Sequence, residues 1–137
     1  RAVEGDGVKR ARPKPPEVED ELSLGWSLSS NLGRSYAGVS KDYNPIHLYP
    51  WTAKLFGFRR QIAHGMCLLG RTAAALSESK GPTVLRVHFR KPVFLPTEVK
   101  LAAGTHEGGQ SFRLLSEKDG KVHFHGWLGP LTEAGND

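Results

Sequence analysis

Apolar and polar residues alternate with a period of two at the start of the ordered-looking part of the chain. Leu22, Leu24, Trp26 and Leu28 are separated by small or polar residues, which predicts a half-buried strand. The period then changes. Pro50 suits the first turn of a short helix running to about Phe56, with Gly57 able to cap it. A longer helix is predicted from Gly65 or Met66 to Ser79, with Met66, Leu69, Ala73 and Leu76 on one face and Gly81-Pro82 as its stop. Period two returns in four further segments. Leu85, Val87 and Phe89 alternate with Arg86, His88 and Arg90; Val99, Leu101 and Ala103 form a second set, and Phe112 and Leu114 a third. Val122, Phe124, Gly126 and Leu128 form the last, after an Asp119-Gly120 hairpin signal. The order strand, loop, helix, then four strands predicts an α+β domain: one antiparallel sheet wrapped around one central helix.

Length and composition narrow the class. At 137 residues the chain is one domain with room for a core. It has no apolar run long enough for a membrane helix and no signal-peptide pattern. Cys67 is the single cysteine, which excludes a disulfide within the chain and fits a reducing, cytoplasmic setting. Residues 1–20 are rich in Pro, Gly and charge and read as a flexible arm or linker, leaving 21–137 as the folded body. That arm holds five basic and five acidic residues, so the whole net charge of +5 falls on the body. No basic run or recognition motif accompanies it, so an anionic ligand or acidic partner explains it better than nucleic acid does.

The chemistry concentrates in Ser40-Lys41-Asp42-Tyr43-Asn44-Pro45-Ile46-His47, followed by His64-Gly65-Met66. Pro45 biases Asn44 away from the α region, so the segment is expected to turn rather than continue as plain helix. A turn can bring a carboxylate and an imidazole to one point, the minimum equipment for moving protons to and from water. Taken alone, Asp42 could equally cap the turn, and His47 could be a structural histidine. His123 and His125 share one face of a strand, but two histidines without a third ligand indicate a structural surface rather than a metal site.

These two segments resemble the MaoC-like, (R)-specific enoyl-CoA hydratase family, whose signature is Ser-Gly-Asp-x-Asn-Pro-(Ile/Leu)-His on a hotdog fold. Gly65 lies eighteen residues after His47, which matches the family spacing. Lys41 departs from the family's usual Gly, and its side chain is expected to point outward. The resemblance implies reversible hydration of trans-2-enoyl thioesters of CoA or acyl-carrier protein to (R)-3-hydroxyacyl thioesters, without metal or other cofactor. It implies Asp42 and His47 as the catalytic pair, Asn44 as a holder of the water, and the Gly65 N–H as donor to the thioester oxygen. Arg59 and Arg60 are candidates for CoA phosphates or carrier acids, Trp51 for the acyl pocket, and His64 for orienting the loop. Hotdog units of this family pair, as homodimers or as two fused halves, and the arm at 1–20 resembles a linker between halves. The alternative function is a non-catalytic hotdog subunit lending pocket wall or pairing surface to a partner; a thioesterase is a weaker third.

Overall fold

In the computed structural model, residues 14–16, 22–76 and 83–131 are described. The chain runs β1 (Leu22–Leu28), α1 (Leu32–Ser40), a 3-10 turn (Pro45–His47), α2 (Pro50–Leu55), α3 (Gly65–Leu76), β2 (Thr83–Phe89), β3 (Thr97–His106), β4 (Gly109–Ser116) and β5 (Val122–Pro130). The strands form one sheet in the order β1-β3-β4-β5-β2, every pairing antiparallel. This is the hotdog arrangement, with the sheet as the bun and α3 as the filling.

All five predicted strands form, because their period-two patterns place one apolar face on the helix. Two hairpins join the central strands. Gly120, at φ 72°, closes the Asp119-Gly120 turn, and Asp119 Oδ1 accepts the Lys121 N–H at 3.0 Å. Glu107 and Gly108, both at positive φ, make the two-residue turn between β3 and β4. The middle strands carry the core: Val99, Leu101, Phe112, Leu114 and Phe124 are buried against Leu68, Leu69 and Leu76 of α3. Each fully buried Leu or Phe contributes about 1.5–3 kcal/mol of burial energy.

The inward face of α3 is Leu68, Leu69, Thr72 and Leu76, an i, i+4, i+8 stripe. Met66, expected on that face, is 64 % exposed in the first turn. The predicted end of this helix near Ser79 and its Gly81-Pro82 stop lie outside the described residues.

α1 was not anticipated. Tyr36 to Ser40, expected to lie in an irregular loop, is its last half. Only Gly33 and Ala37 are buried along it, so no apolar stripe announces it. Gly33 is a point of very close approach: a Cβ there would lie 1.8 Å from the His47 carbonyl oxygen. Arg34 adds a second tie, donating through Nη1 to the Leu48 carbonyl at 2.7 Å.

The edge strands are less covered. On β2, Leu85 and Phe89 point to the helix side yet are 38 % and 55 % exposed. His123 and His125, read from the sequence as surface, are buried at 9 % and 4 % exposure. The reason is position: β5 is an interior strand, flanked by β4 and β2.

Candidate active site

α1 ends at Lys41, which takes the left-handed conformation (φ 65°) and gives its N–H to Ala37 at 2.8 Å. The family's usual glycine at this position now has a physical reason, since αL is the conformation glycine adopts without cost. The Lys41 side chain is exposed, as expected. Beyond it, each short polar side chain organises the backbone two residues on. Asp42 Oδ1 accepts the Asn44 N–H at 3.1 Å, and Asn44 Oδ1 accepts the Ile46 N–H at 3.2 Å. The second bond caps the 3-10 turn that carries His47.

The Gln61–His64 segment lies between that turn and Val93–Leu95. Ile62 N–H donates to the Ile46 carbonyl at 2.9 Å, and Ala63 N–H donates to the Val93 carbonyl at 2.8 Å. His47 Nδ1 lies 2.9 Å from the Ile62 carbonyl. A carbonyl can only accept, so Nδ1 carries the proton and Nε2 keeps its lone pair. Burial pushes the His47 pKa below its ordinary 6.5, with the neighbouring His64 acting the same way; the Ile62 hydrogen bond and Asp42 oppose the shift. The ring is therefore neutral at pH 7 and equipped as a base.

Asp42, His47 and His64 converge: one ligand-type atom from each lies within 4.8 Å of the others. His64 Nε2 donates to the Asp42 backbone carbonyl at 2.9 Å and stands 3.8 Å from its Oδ2. The His64 ring stacks on His47, and Tyr36 packs edge-on against its other neighbourhood at 5.0 Å. Two such near-parallel rings cannot both aim in-plane lone pairs at one ion, so this trio suits proton transfer better than tetrahedral metal binding.

A cavity of about 250 Å³ opens beside His47. Gly65, Leu68, Phe89 and Phe124 line it, with Arg90 and Lys91 also on the wall. Gly65 is the first residue of α3, and a Cβ there would meet Phe89 Cε1 at 3.0 Å. The first N–H groups of a helix have no partner within it and carry its positive dipole end. Asp42 is not on the cavity wall; its side chain is 52 % exposed beside His64.

The other sequence candidates sit elsewhere. Trp51 is 65 % exposed on α2 and stacks with Tyr49 at 6.2 Å. Arg59 lies over the Phe94 ring at 4.4 Å and Arg60 at 6.0 Å, and neither lines the cavity. Arg90 and Lys91, which do, were not singled out in the sequence. Their one signal was that they follow directly on the apolar alternation of β2.

A hotdog sheet carrying an Asp–His pair at a helix N-terminus defines a class, and comparison with known proteins agrees with it. A family model described as "MaoC like domain" matches residues 13–124. The chain belongs to the MaoC-like domain family. It is 41% identical over 92 residues to 3-hydroxyacyl-thioester dehydratase X of Mycobacterium tuberculosis, covering 66% of this chain and 32% of that protein. It is 37% identical over 88 residues to the (R)-specific enoyl-CoA hydratase of Aeromonas caviae, covering 61% of this chain and 66% of that enzyme. Among solved structures, HtdX of M. tuberculosis superposes with a TM-score of 0.70 at 32% identity, covering 82% of this chain and 48% of that one. The chain thus spans about a third to two thirds of the length of these curated relatives. Among the described residues no helix is long and apolar enough to cross a membrane.

Proposed function

We propose that this chain adds water reversibly across the double bond of trans-2-enoyl thioesters, giving (R)-3-hydroxyacyl thioesters of CoA or acyl-carrier protein. One observation carries the reading: a buried, neutral His47 has its Nδ1 proton committed to Ile62, so its free Nε2 stands near Asp42 on a cavity that Gly65 also lines. A water held between Asp42 and His47 loses a proton to the pair as its oxygen bonds to C3. The π electrons move toward the thioester, and its oxygen, now negative, is met by the Gly65 N–H. The pair returns a proton to C2, so one water is consumed and no proton is left over. Asn44 holds the turn through Oδ1 and keeps its amide N–H groups for the water. Arg90 and Lys91 are the cations best placed for the phosphate end of the substrate, in preference to Arg59 and Arg60. The names of the relatives support the substrate class and the (R) outcome.

The working form in this reading is a pair of hotdog units, either two copies or this unit with a related one. Asp42 and Tyr43 lie open to solvent, as do Phe89 on the edge strand and Val39 at the end of α1. A second sheet against this side would close the catalytic pair from water. The reading also places the protein in the cytoplasm, where the lone Cys67 thiol stays reduced.

The deciding experiment follows enoyl-thioester absorbance, free thiol and product chirality with short, medium and long acyl chains. Loss of conjugation without thiol release, giving the (R) product, is the expected result. Thiol release indicates a thioesterase, and no change with any substrate indicates a passive subunit. Light scattering at micromolar concentration tests pairing; a fully active monomer would overturn that part.

A further inference from the structure

The sheet has a second cavity, on the face away from α3. Side chains alternate along a strand, so neighbouring rungs of one strand pair serve opposite faces. The Phe89–Phe124 rung lines the active-site cavity. The next rung, His88–His125, turns outward, as does the Arg86–Trp127 rung beyond it. These four residues, with His106 and Ser111, line a cavity of about 190 Å³ that Lys14 also borders. At about 30 Å³ per water, that is room for a tetrahedral oxyanion.

The wall is built rather than incidental. The His88 and His125 rings stack at 5.1 Å, and the Arg86 guanidinium stands 5.3 Å from the Trp127 ring centroid. Trp127 Nε1 donates to the His106 carbonyl at 2.7 Å, fixing the indole. His125 and Ser111 are 4 % and 3 % exposed. The wall is rich in donors: two fixed cations, three imidazoles and a hydroxyl. Glu107 is its single acid; its carboxylate is 74 % exposed and lies 3.7 Å from His106 Nε2. A metal fits poorly, because among the described residues the one cluster with ligand spacing is Asp42, His47 and His64.

We propose that this outer cavity binds an oxyanion of the phosphate class. Arg86 supplies the fixed charge and the geometry that matches such oxygens, and the imidazoles and Ser111 supply further hydrogen bonds. The site is independent of the hydratase reading, since none of these residues belongs to the catalytic group.

The test is an NMR titration of the full chain, following imidazole ¹⁵N resonances with inorganic phosphate, coenzyme A and dephospho-coenzyme A. Saturable shifts of His88, His106 and His125 with phosphate are expected, and Arg86→Gln should weaken binding by about tenfold or more. Arg86 and His88 are on an exposed edge strand, so folding of Arg86→Gln is not at risk; His106→Asn serves as a second probe. Shifts with coenzyme A but not its dephospho form would identify a nucleotide phosphomonoester as the source. Shifts with inorganic phosphate alone would identify the free anion. No saturable shift with any of the three at concentrations on the order of 50 mM, or shifts unchanged in both variants, would overturn the proposal.

Discussion

The imidazole of His64 lies flat on that of His47, with ring centroids 3.8 Å apart and 22° between the planes. Two stacked rings resist carrying positive charge together. Burial lowers the His47 pKa first, and His64 lowers it further. The base form of His47 therefore survives to a pH below 6.5. The acid limb of kcat/KM is expected below that value. Replacing His64 with Leu keeps the site buried but removes the neighbouring charge, so the limb should move up toward 6.5. A pH–rate profile unmoved by His64→Leu would break this link.

The same shifts predict how stability depends on pH. His47 and His123 both have folded pKa values below the ordinary 6.5, in each case chiefly through burial. The unfolded chain then binds more protons than the folded one between the two values. Their contribution is complete above 6.5 and is lost as pH falls from there through the folded values. Denaturant midpoints measured from pH 8 to pH 5 should decline on the acid side, and less steeply in His123→Asn.

Asp42→Asn and His47→Gln are each expected to lower kcat by at least ~10²-fold, the usual scale for a positioned acid or base. The double variant should be little worse than the worse single one, because the pair acts on one water. Near-normal turnover in either single variant would remove that residue from the chemistry.

Gly65→Pro deletes the N–H assigned to the thioester oxygen, and loss of one such donor costs about 2.7–4 kcal/mol of transition-state stabilisation. Proline is well tolerated at the first position of a helix, so the fold should hold. Gly65→Ala separates the donor from the space: it keeps the N–H and places a Cβ 3.0 Å from Phe89, whose 55 % exposed ring can swing away. Kinetics should rank Ala well above Pro; the reverse order would assign Gly65 to packing.

Gly33→Ala tests the hold of α1 on His47. Its Cβ would fall 1.8 Å from a backbone oxygen and 2.9 Å from the carbonyl carbon, and a main chain cannot swing aside as a ring can. Overpacking of this kind costs about 1–3 kcal/mol. In the fraction that folds, kcat should fall more than KM changes. Unaltered stability and turnover would show that the turn is not held from this side.

Lys41→Gly should act in the opposite direction. A non-glycine residue in αL costs about 1–2 kcal/mol, while glycine loses about 0.5–1 kcal/mol through its freer unfolded chain. A net gain of up to about 1 kcal/mol is expected in chemical denaturation, with activity unchanged because the Lys41 side chain is exposed.

The strands were legible because burial on one face writes a period of two into the sequence, and β1 retains it from Leu22 to Leu28. α1 was hidden for the opposite reason. Its sequence includes Gly33, Gly38, Ser35 and Ser40, poor helix formers, and its buried residues are a glycine and an alanine. Tertiary contact holds it, and contact distance is not written in local pattern. The catalytic pair was legible through its motif. The cations on the cavity wall were not, because nothing in Arg59-Arg60 or Arg90-Lys91 tells which pair faces inward.

Ile62 serves His47 with its main-chain carbonyl, not its side chain. Any of the twenty residues offers that same oxygen, so no codon change at position 62 can erase the acceptor. The tautomer of the base is thereby insulated from mutational drift at the position that sets it. What remains vulnerable is the path of the ribbon itself, tethered by Ile62 N–H to Ile46 and Ala63 N–H to Val93. Proline at 62 would cut the first tether while leaving the carbonyl chemically intact, and so would misplace the proton without removing a single catalytic group.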